Sequence, residues 1–360
     1  MPALSVLIKP ASGACNLRCG YCFYQKSARE FMSLATLEQL VKSALQSAQY
    51  CCTFAFQGGE PTLAGLEFYR ALLNFQQKHD TKNLTVKNTI QTNGILIDDA
   101  WAAFLAEHDF LVGLSLDGPR KLNDANRKYA DGSGSFDRIM QAAAYLKKHG
   151  AQFNILSVIN AQNARKPDEL YAFFKKKGYD FLQFIPCLSE CRSAHTLKPG
   201  QYGDFLVRIF DLWHKDFLRG ERINIRFFSN LVQMAAGYPP ESCGMCGYCT
   251  PYLVVEGDGS VYPCDFYVSD LWKLGTVSDD LSALLQNETA RRFTAPSKLM
   301  HDDCHACPHV ILCRGGCRRW RETPTGKSAL CEDYKRFFAD CGSRIAEIAR
   351  AFTRSAQASL

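Results

Sequence analysis

Three cysteines near the start of the chain are spaced closely enough to hold one metal centre. Cys15, Cys19 and Cys22 form a CxxxCxxC run shortly after an apolar stretch, Leu4 to Ile8. A four-iron cluster usually takes four cysteine ligands, and the next cysteine, Cys51, lies in an apolar run that predicts a buried strand. One iron of such a cluster would have no protein ligand, and an open metal position is where a small molecule can bind and react.

Spacing alone leaves two other interpretations of these thiols open. They could form a zinc knuckle, or they could be reduced core cysteines, since cysteine outside a disulfide is among the most buried residue types. With Phe23 and Tyr24 directly behind it, however, the run resembles the signature of the radical S-adenosylmethionine (SAM) enzymes. The resemblance implies that Cys15, Cys19 and Cys22 hold a [4Fe-4S] cluster whose fourth iron is chelated by SAM. It also implies that one electron passes to the sulfonium and that the resulting 5′-deoxyadenosyl radical abstracts a substrate hydrogen.

Length and composition narrow the class of protein. A chain of 360 residues is long enough for one large domain or for a large and a small one. It has no apolar run long enough to span a membrane and no signal peptide, so we expect a cytoplasmic protein without membrane contact. Seventeen cysteines in such a chain indicate metal rather than disulfides. The net charge of +6 is spread without a basic block, which argues against nucleic acid as a partner.

Up to about Cys187, short β-rich runs alternate with amphipathic runs, the pattern of βα units around a parallel sheet. Strands are predicted at Leu4–Lys9, Cys51–Gln57, Val86–Thr92, Leu111–Leu116, Phe153–Asn160 and Phe181–Ile185. Helices are predicted at Thr36–Gln49, Gly65–Lys78, Asp98–Glu107, Ser135–Lys148, Pro167–Lys177 and Tyr202–Leu218. The fold class is therefore α/β. Six repeats predict a partial (β/α)6 barrel over residues 1–200, with its active site at the carboxyl ends of the strands.

The residues after the second predicted strand resemble the family's SAM-binding motif. Gly58-Gly59-Glu60-Pro61, preceded by Gln57, stands at the place of its GGEP sequence, which implies that backbone and Glu60 bind the amino group of SAM. A glycine pair allows close approach of backbone to a ligand. Turns use the same pair, so the glycines alone are weak evidence.

Further resemblances concern the other parts of SAM. Segments containing Gln91, Asn93 and Ser115 resemble those that meet the ribose and carboxylate. Arg138 could be a bidentate partner of that carboxylate, but it could equally be an exposed helix arginine, and Arg127 is a rival.

Tyr24 and Leu188 resemble the positions that contact the adenine, through the backbone of the tyrosine and by packing of the leucine. Structural packing would explain both residues equally well.

The last third of the chain carries a second, denser group of cysteines. Its nine members are Cys243, Cys246, Cys249, Cys264, Cys304, Cys307, Cys313, Cys317 and Cys331. Val254–Glu256 and Ser260–Tyr262 alternate around Gly257-Asp258-Gly259, which predicts a β-hairpin. Such a small hairpin needs support, and bound metal can supply it. A four-cysteine zinc site is one interpretation.

The spacing also resembles the SPASM extension of radical SAM enzymes, which carries two auxiliary [4Fe-4S] clusters. We therefore expect a helical connection at residues 201–241 and a SPASM domain with a C-terminal helix at 242–360. The resemblance assigns one cluster to Cys243, Cys249, Cys264 and Cys317, and the other to Cys304, Cys307, Cys313 and Cys331. Cys246 is left over and could replace a neighbouring ligand. Full ligation by protein suits clusters that move electrons.

The run from Gly257 to Tyr267 resembles the anaerobic sulfatase-maturating enzymes within the SPASM group. In that family the residue at the place of Asp265 is the proposed base. The resemblance implies oxidation of a Cys or Ser side chain in an unfolded sulfatase polypeptide to Cα-formylglycine, within a Cys-x-Pro-x-Arg or Ser-x-Ala-x-Arg core. It also implies a flavodoxin- or ferredoxin-type reductant.

Two other functions remain open from the sequence. One is a SPASM enzyme that modifies a small ribosomal peptide, against which the absence of a dedicated N-terminal leader-binding domain counts modestly. The other is a metal-stabilised binding or electron-transfer protein without catalysis. Cleavage of SAM by the reduced, cluster-loaded protein would separate catalysis from the second of these.

Overall fold

The computed structural model describes residues 3–24, 30–187, 195–321, 323 and 326–358, with side chains up to residue 353. The chain divides into two compact units. Unit 1 comprises Met1–Leu116, Asp124–Asn154 and Pro251–Phe293, and unit 2 comprises Asp117–Asn123, Ile155–Thr250 and Thr294–Leu360.

The regular elements follow the βα alternation that the sequence predicts. The strands are β1 (Ala3–Ile8), β2 (Cys51–Phe56), β3 (Thr85–Thr92), β4 (Leu111–Ser115), β5 (Phe153–Ile159), β6 (Phe181–Pro186), β7 (Asn224–Ile225), β8 (Leu253–Val255), β9 (Ser260–Tyr262) and β10 (Gly275–Thr276). The helices are α1 (Leu34–Ser47), α2 (Leu66–His79), α3 (Asp99–Glu107), α4 (Arg120–Asn126), α5 (Phe136–His149), α6 (Pro167–Lys176), α7 (Gln201–Phe217), α8 (Arg226–Ala235), α9 (Leu281–Leu284), α10 (Glu288–Thr294), α11 (Asp302–His305), α12 (Val310–Cys313) and α13 (Cys331–Ala358).

Unit 1 is built on a sheet in which β1 to β4 are parallel and lie side by side in chain order. β2 alternates buried and half-buried residues, as a strand does when one of its faces packs against the core. α1 buries its apolar stripe, which includes Leu37, Leu40 and Ala44. Parallel order brings the carboxyl ends of these strands to one edge of the sheet, where polar residues follow each strand.

The predicted hairpin is confirmed, and it joins this sheet. β8 and β9 pair antiparallel, and Gly259 in the turn has φ +83°, a conformation that favours glycine. β8 also pairs parallel with β1, with Val6 opposite Leu253 and Ile8 opposite Val255. The residues after β9 are therefore anchored to the strand that precedes the first three cysteines.

In unit 2, β6 pairs parallel with β5 on one side and with β7 on the other. α13 packs along α7 and α8, and Phe210, Phe228 and Phe337 fill the space between these helices. Between α7 and α13, the backbone N–H of Gly203 donates to the buried Asp333 carboxylate at 2.7 Å. A Cβ at Gly203 would lie 2.8 Å from the Asp333 carbonyl oxygen, so this approach requires glycine.

The predicted strands and the helices from α1 to α7, apart from α4, are confirmed with shifts of one or two residues at their ends. α4, α8 and the short helices between residues 281 and 313 were not predicted individually. Among the helices described, none combines the length and the apolar character needed to cross a membrane.

Candidate active site

Cys15, Cys19 and Cys22 lie on a loop after β1 that two other segments hold in place. On one side, the N–H groups of Gly59 and Glu60 donate to the carbonyls of Ser12 and Ala14, both at 2.8 Å. On the other side, the N–H groups of Arg18 and Gly20 donate to the carbonyls of Lys128 and Asn126 at 2.7 and 3.1 Å. The three thiols are partly exposed and outside any disulfide, which suits ligands that must meet a small molecule.

Gly59 is the closest contact between the glycine motif and the cysteine loop. A Cβ built on Gly59 would lie 2.0 Å from the Ala14 carbonyl oxygen, far inside any normal contact distance. The backbone of one segment must therefore move if any side chain is present here. In the folded chain, this glycine therefore allows the loop before Cys15 to pack directly against the motif.

Gly59→Ala is expected to destabilise the protein by about 1–3 kcal/mol, the usual cost of inserting a methyl group where none fits. Thermal unfolding of the anaerobic protein measures the effect. Gly342→Ala is the matched control, because Gly342 lies within α13 with nothing within 4 Å of the added Cβ. It should be neutral or stabilising by up to about 1 kcal/mol. Equal melting temperatures for the two variants would contradict this packing role.

Glu60 is buried, and its carboxylate already accepts hydrogen bonds from the protein. One oxygen accepts from the N–H and hydroxyl of Thr62 at 3.1 and 2.6 Å and from the Thr92 hydroxyl at 2.7 Å. The other accepts from the N–H of Asn93 at 2.7 Å. Burial raises the pKa of Glu60, and these hydrogen bonds oppose the rise. In this structure Glu60 fixes the ends of β2 and β3 against each other.

Asn93 continues this network to the cysteine loop. Its side-chain amide donates to Asn16 Oδ1 at 2.7 Å and lies 3.7 Å from Cys15 Sγ. Burial raises the pKa of the Cys15 thiol. The predicted residues Glu60 and Asn93 therefore lie together, next to the first cysteine.

Three further predicted SAM contacts, Gln57, Gln91 and Ser115, lie at or near the carboxyl ends of β2, β3 and β4. Gln57 is half-buried and its N–H donates to the Ile8 carbonyl at 2.9 Å, Ser115 is buried at the end of β4, and Gln91 is exposed on β3. Gly58 has φ +119°, a backbone conformation that side chains rarely allow. Leu188 lies outside the described residues.

The two candidate arginines differ in their surroundings. Arg138 is half-exposed near the start of α5, and its guanidinium donates to Gln141 on the same helix at 3.3 Å. Arg127 is buried, and its guanidinium carbon lies 5.6 Å from the centre of the Tyr21 ring in the cysteine loop. The structure brings Arg127 to the cysteine loop, whereas the hydrogen bond of Arg138 to Gln141 stays within its own helix.

Tyr24, Glu256, Lys9 and Asp265 form a charged cluster near the end of β1. The Tyr24 hydroxyl donates to Glu256 and lies 2.5 Å from both carboxylate oxygens. Burial, followed by the charge of Glu256, raises the pKa of Tyr24. Lys9 Nζ lies 2.5 Å from Asp265 Oδ1 and 3.6 Å from Glu256 Oε1. The predicted base is therefore ion-paired with a lysine that sequence reasoning did not assign to the site.

Cys304, Cys307, Cys313 and Cys331 line one cavity in unit 2. Burial, followed by interactions with Cys331, Cys304 and Cys307, raises the pKa of Cys313 to about 11. Val310, Gly315 and Phe338 also line the cavity. A largely apolar cavity with four converging thiols fits the donor set of a protein-ligated iron–sulfur cluster.

Cys243, Cys249 and Cys317 lie near one another in unit 2. Burial, followed by the charges of Cys317, Cys249 and Cys246, raises the pKa of Cys243 to about 11. The unassigned Cys246 is thus also close to Cys243, and its thiol lies 3.7 Å from the Ser242 carbonyl oxygen. The remaining predicted ligand, Cys264, belongs to unit 1, on the loop after β9.

The buried Arg321 joins the loops that carry these cysteines. Its guanidinium donates to the carbonyls of Gly315 and Gly316 at 3.2 and 3.1 Å and to those of Gly247 and Leu299, both at 3.4 Å. Gly315 and Gly316 separate Cys313 from Cys317, so this arginine braces the chain between the two thiol groups. Sequence reasoning did not predict this role.

Two family models match the chain. That of the Radical SAM superfamily matches residues 10–174, and that of SPASM, an iron–sulfur cluster-binding domain, matches residues 243–308. A cysteine-type anaerobic sulfatase-maturating enzyme of Clostridium perfringens is 45% identical over 97% of this chain and 99% of its own. The chain belongs to the anaerobic sulfatase-maturating enzymes. It is a radical SAM enzyme with a SPASM domain, and SAM and iron–sulfur clusters are its cofactors.

Other members of the family are also similar. A cysteine-type enzyme of Clostridium novyi is 44% identical over 97% of this chain and 98% of its own. A serine-type enzyme of Bacteroides thetaiotaomicron is 32% identical over 93% of this chain and 88% of its own. The chain is therefore more similar to these cysteine-type enzymes than to this serine-type one.

Solved structures agree with this family assignment. The native enzyme anSMEcpe with bound AdoMet (SAM) and Cp18Cys peptide is 45% identical and matches with a TM-score of 0.95 over 98% of this chain and 100% of that one. Streptococcus suis SuiB, 21% identical with a TM-score of 0.66 over 92% of this chain and 77% of that one, shares the fold.

Proposed function

We propose that this enzyme oxidises a cysteine side chain of an unfolded sulfatase polypeptide to Cα-formylglycine. The observation that carries the proposal is the 45% identity to a cysteine-type maturating enzyme over nearly the whole of both chains. A solved relative that matches over its entire length holds AdoMet together with a cysteine-named peptide, Cp18Cys. Serine-type relatives at 32–33% identity favour the choice of cysteine over serine as the target.

Eleven cysteines are proposed as ligands of three [4Fe-4S] clusters. Cys15, Cys19 and Cys22 would hold the SAM-binding cluster. The auxiliary ligands would be Cys243, Cys249, Cys264 and Cys317 for one cluster, and Cys304, Cys307, Cys313 and Cys331 for the other. The cavity lined by the last four supports their assignment. When bound, SAM and the clusters supply the radical that takes a hydrogen atom from the substrate Cβ, and they accept the second electron of the oxidation.

The role proposed for Asp265 is to accept the thiol proton of the substrate cysteine. Loss of a hydrogen atom, a proton and an electron from the CH2–SH group leaves a thioaldehyde, and water converts it to the aldehyde with release of hydrogen sulfide. A base assists when it lies within hydrogen-bond reach of the proton it removes. The Asp265 side chain is 21% exposed, so a substrate can reach it, and Lys9 holds its inner side.

The proposed SAM contacts are Tyr24, Gln57, Gly58, Gly59, Glu60, Gln91, Asn93, Ser115, Arg138 and Leu188. The network that links Glu60, Asn93 and Cys15 supports a common site for this group. The proposed domains remain residues 1–200, 201–241 and 242–360. A flavodoxin- or ferredoxin-type protein is proposed as the reductant.

Two peptides that differ only at the target residue test the choice of substrate. The anaerobic, reduced enzyme with SAM should convert a Cys-x-Pro-x-Arg peptide to the aldehyde at least about tenfold faster than its serine counterpart, since a site fitted to one group discriminates against another by such factors. Mass spectrometry follows the replacement of CH2SH by CHO, and an alanine peptide is the control. Faster oxidation of the serine peptide would contradict the proposal. Modification without an aldehyde would instead favour a peptide-modifying SPASM enzyme.

A further inference from the structure

Lys9 is a fully buried lysine just beyond the carboxyl end of β1. Its side chain is 0% exposed, and its ammonium lies among two carboxylates and an aromatic ring. An ammonium group is unfavourable inside a protein unless opposite charges accompany it. A buried charge at this place therefore needs an explanation, because the proton transfer proposed above uses Lys9 neither as an acid nor as a base.

The distances from Lys9 Nζ to the two carboxylates show which of them is its nearer partner. Its Nζ atom lies 2.5 Å from Asp265 Oδ1 but 3.6 Å from Glu256 Oε1. Glu256 already accepts a hydrogen bond from the Tyr24 hydroxyl at 2.5 Å. Asp265 is thus the nearest partner of the ammonium, while Glu256 and Tyr24 enclose it from other sides.

The lysine is fixed along its length. Its backbone N–H donates to the Val255 carbonyl at 2.8 Å, which ties it to β8. Because Gly58 has no side chain, the aliphatic part of Lys9 can pack against it. A Cβ on Gly58 would lie 3.0 Å from Lys9 Cβ. The Tyr24 ring covers the ammonium, with 3.6 Å between Nζ and the ring centre. Lysine usually has a flexible side chain, but these contacts confine the ammonium group of Lys9 to one position.

We infer that Lys9 is a positioning residue that fixes the carboxylate of Asp265 for its reaction with substrate. The inference rests on the proposed function of Asp265 as the base. Asp265 follows Cys264 on a loop and is only partly buried, so its own backbone does not fix the carboxylate. The ion pair with a rigid lysine does so, and a displacement of about 1 Å in a reacting group can lower a rate by about a hundredfold.

Lys9→Met keeps most of the side-chain length and removes the charge. The yield of aldehyde per 5′-deoxyadenosine formed should fall by about tenfold to a hundredfold. SAM cleavage itself should persist, because the change affects the step after hydrogen abstraction. Lys87→Met is the matched control, since Lys87 is an exposed lysine on β3 of the same unit, and it should leave the ratio unchanged.

A double-mutant cycle separates positioning from general support of the fold. If Lys9 acts through Asp265, Lys9→Met should lower the aldehyde ratio in the otherwise wild-type enzyme but change it less than about twofold in the Asp265→Asn background. A residue that merely stabilises the fold would lower it by the same factor in both backgrounds. Iron content and melting temperature show whether each variant is folded.

Lys9→Arg keeps the cycle decisive if the methionine variant does not fold. Arginine retains the positive charge beside Glu256 but places it differently, so the ratio should fall by several-fold when Asp265 is present and hardly at all in the Asp265→Asn background. A crystal structure of either Lys9 variant should show the Asp265 carboxylate displaced, which is a readout independent of activity.

Each outcome decides the inference. Non-additive losses together with a displaced carboxylate support it. No loss, or equal losses in both backgrounds, overturns it while leaving Asp265 as the base. An undiminished aldehyde yield from Asp265→Asn alone removes the base, and the positioning role of Lys9 falls with it.

Discussion

Replacement of Cys15, Cys19 and Cys22 together by alanine is expected to abolish formation of 5′-deoxyadenosine. The wild-type enzyme should hold about twelve irons and as many sulfides, and the triple variant about eight, because the other two clusters keep their ligands. The physical reason is the missing fourth ligand. Among the proposed ligand groups, only this one would leave an iron open to SAM, so its removal should leave the sulfonium without a source of an electron. Anaerobic iron and sulfide analysis and chromatography of the nucleoside products measure both effects.

Cys51→Ala is the control for this prediction, because Cys51 is a half-buried thiol on β2 without a proposed ligand role. It should keep about twelve irons and full SAM cleavage. SAM cleavage that survives the triple replacement would show that the radical cluster lies elsewhere. Loss of nearly all iron would show that the proposed clusters do not load independently. Zinc in place of iron would favour the structural metal site that the cysteine spacing also allows.

Asp265→Asn should lower aldehyde formation by a hundredfold or more, the contribution typical of one general base, about 10²–10⁴. The shape of the side chain is kept and the proposed base is lost. Deuterium placed on the substrate Cβ should still move into 5′-deoxyadenosine, since hydrogen abstraction precedes the blocked step. Quantification of aldehyde and of labelled 5′-deoxyadenosine in the same reaction separates the two steps.

Asp99→Asn provides a comparison at a surface carboxylate, which pairs with Lys148 at 2.5 Å where both side chains are more than half exposed. Such surface pairs contribute little, so activity and iron content should not change. If Asp265→Asn forms aldehyde at the wild-type rate, the base lies elsewhere. If it instead loses iron, Asp265 supports the cluster beside Cys264 rather than the proton transfer.

Elements with a strong local pattern could be predicted from the sequence. Apolar residues at helical spacing predicted α1, in which Leu37, Leu40 and Ala44 are buried. β-rich runs predicted β1 to β6. α4 escaped prediction because it is a short helix directly after the Asp117-Gly118-Pro119 turn, where turn signals dominate. Predicting α4 would require knowing how the surrounding chain packs against it.

Residues that belong to sequence motifs could be assigned to the candidate site, whereas contacts between residues far apart in the chain could not be predicted. The spacing of Cys15, Cys19 and Cys22 is visible in the sequence. The ion pair between Lys9 and Asp265 joins residues far apart in the chain, and no local pattern reports such a pair. One signal was available, because a charged residue directly after a buried strand marks the edge where parallel sheets place their sites. Glu60 was predicted as a ligand residue, but its internal hydrogen bonds depend on the neighbouring end of β3.

The pairing of β1 with β8 has a consequence for how the chain folds during synthesis. β1 is synthesised well before β8, whose Leu253 lies opposite Val6 in the folded enzyme. Until β8 is made, β1 is an edge strand with unpaired backbone groups, open to association with other chains. Contacts of such long sequence separation also form slowly. Lys9 meanwhile lacks Glu256 and Asp265, so its charge opposes early closure of the cysteine loop. A fragment that ends before the hairpin should therefore aggregate, and the nascent enzyme depends on its own last third to complete the first strand.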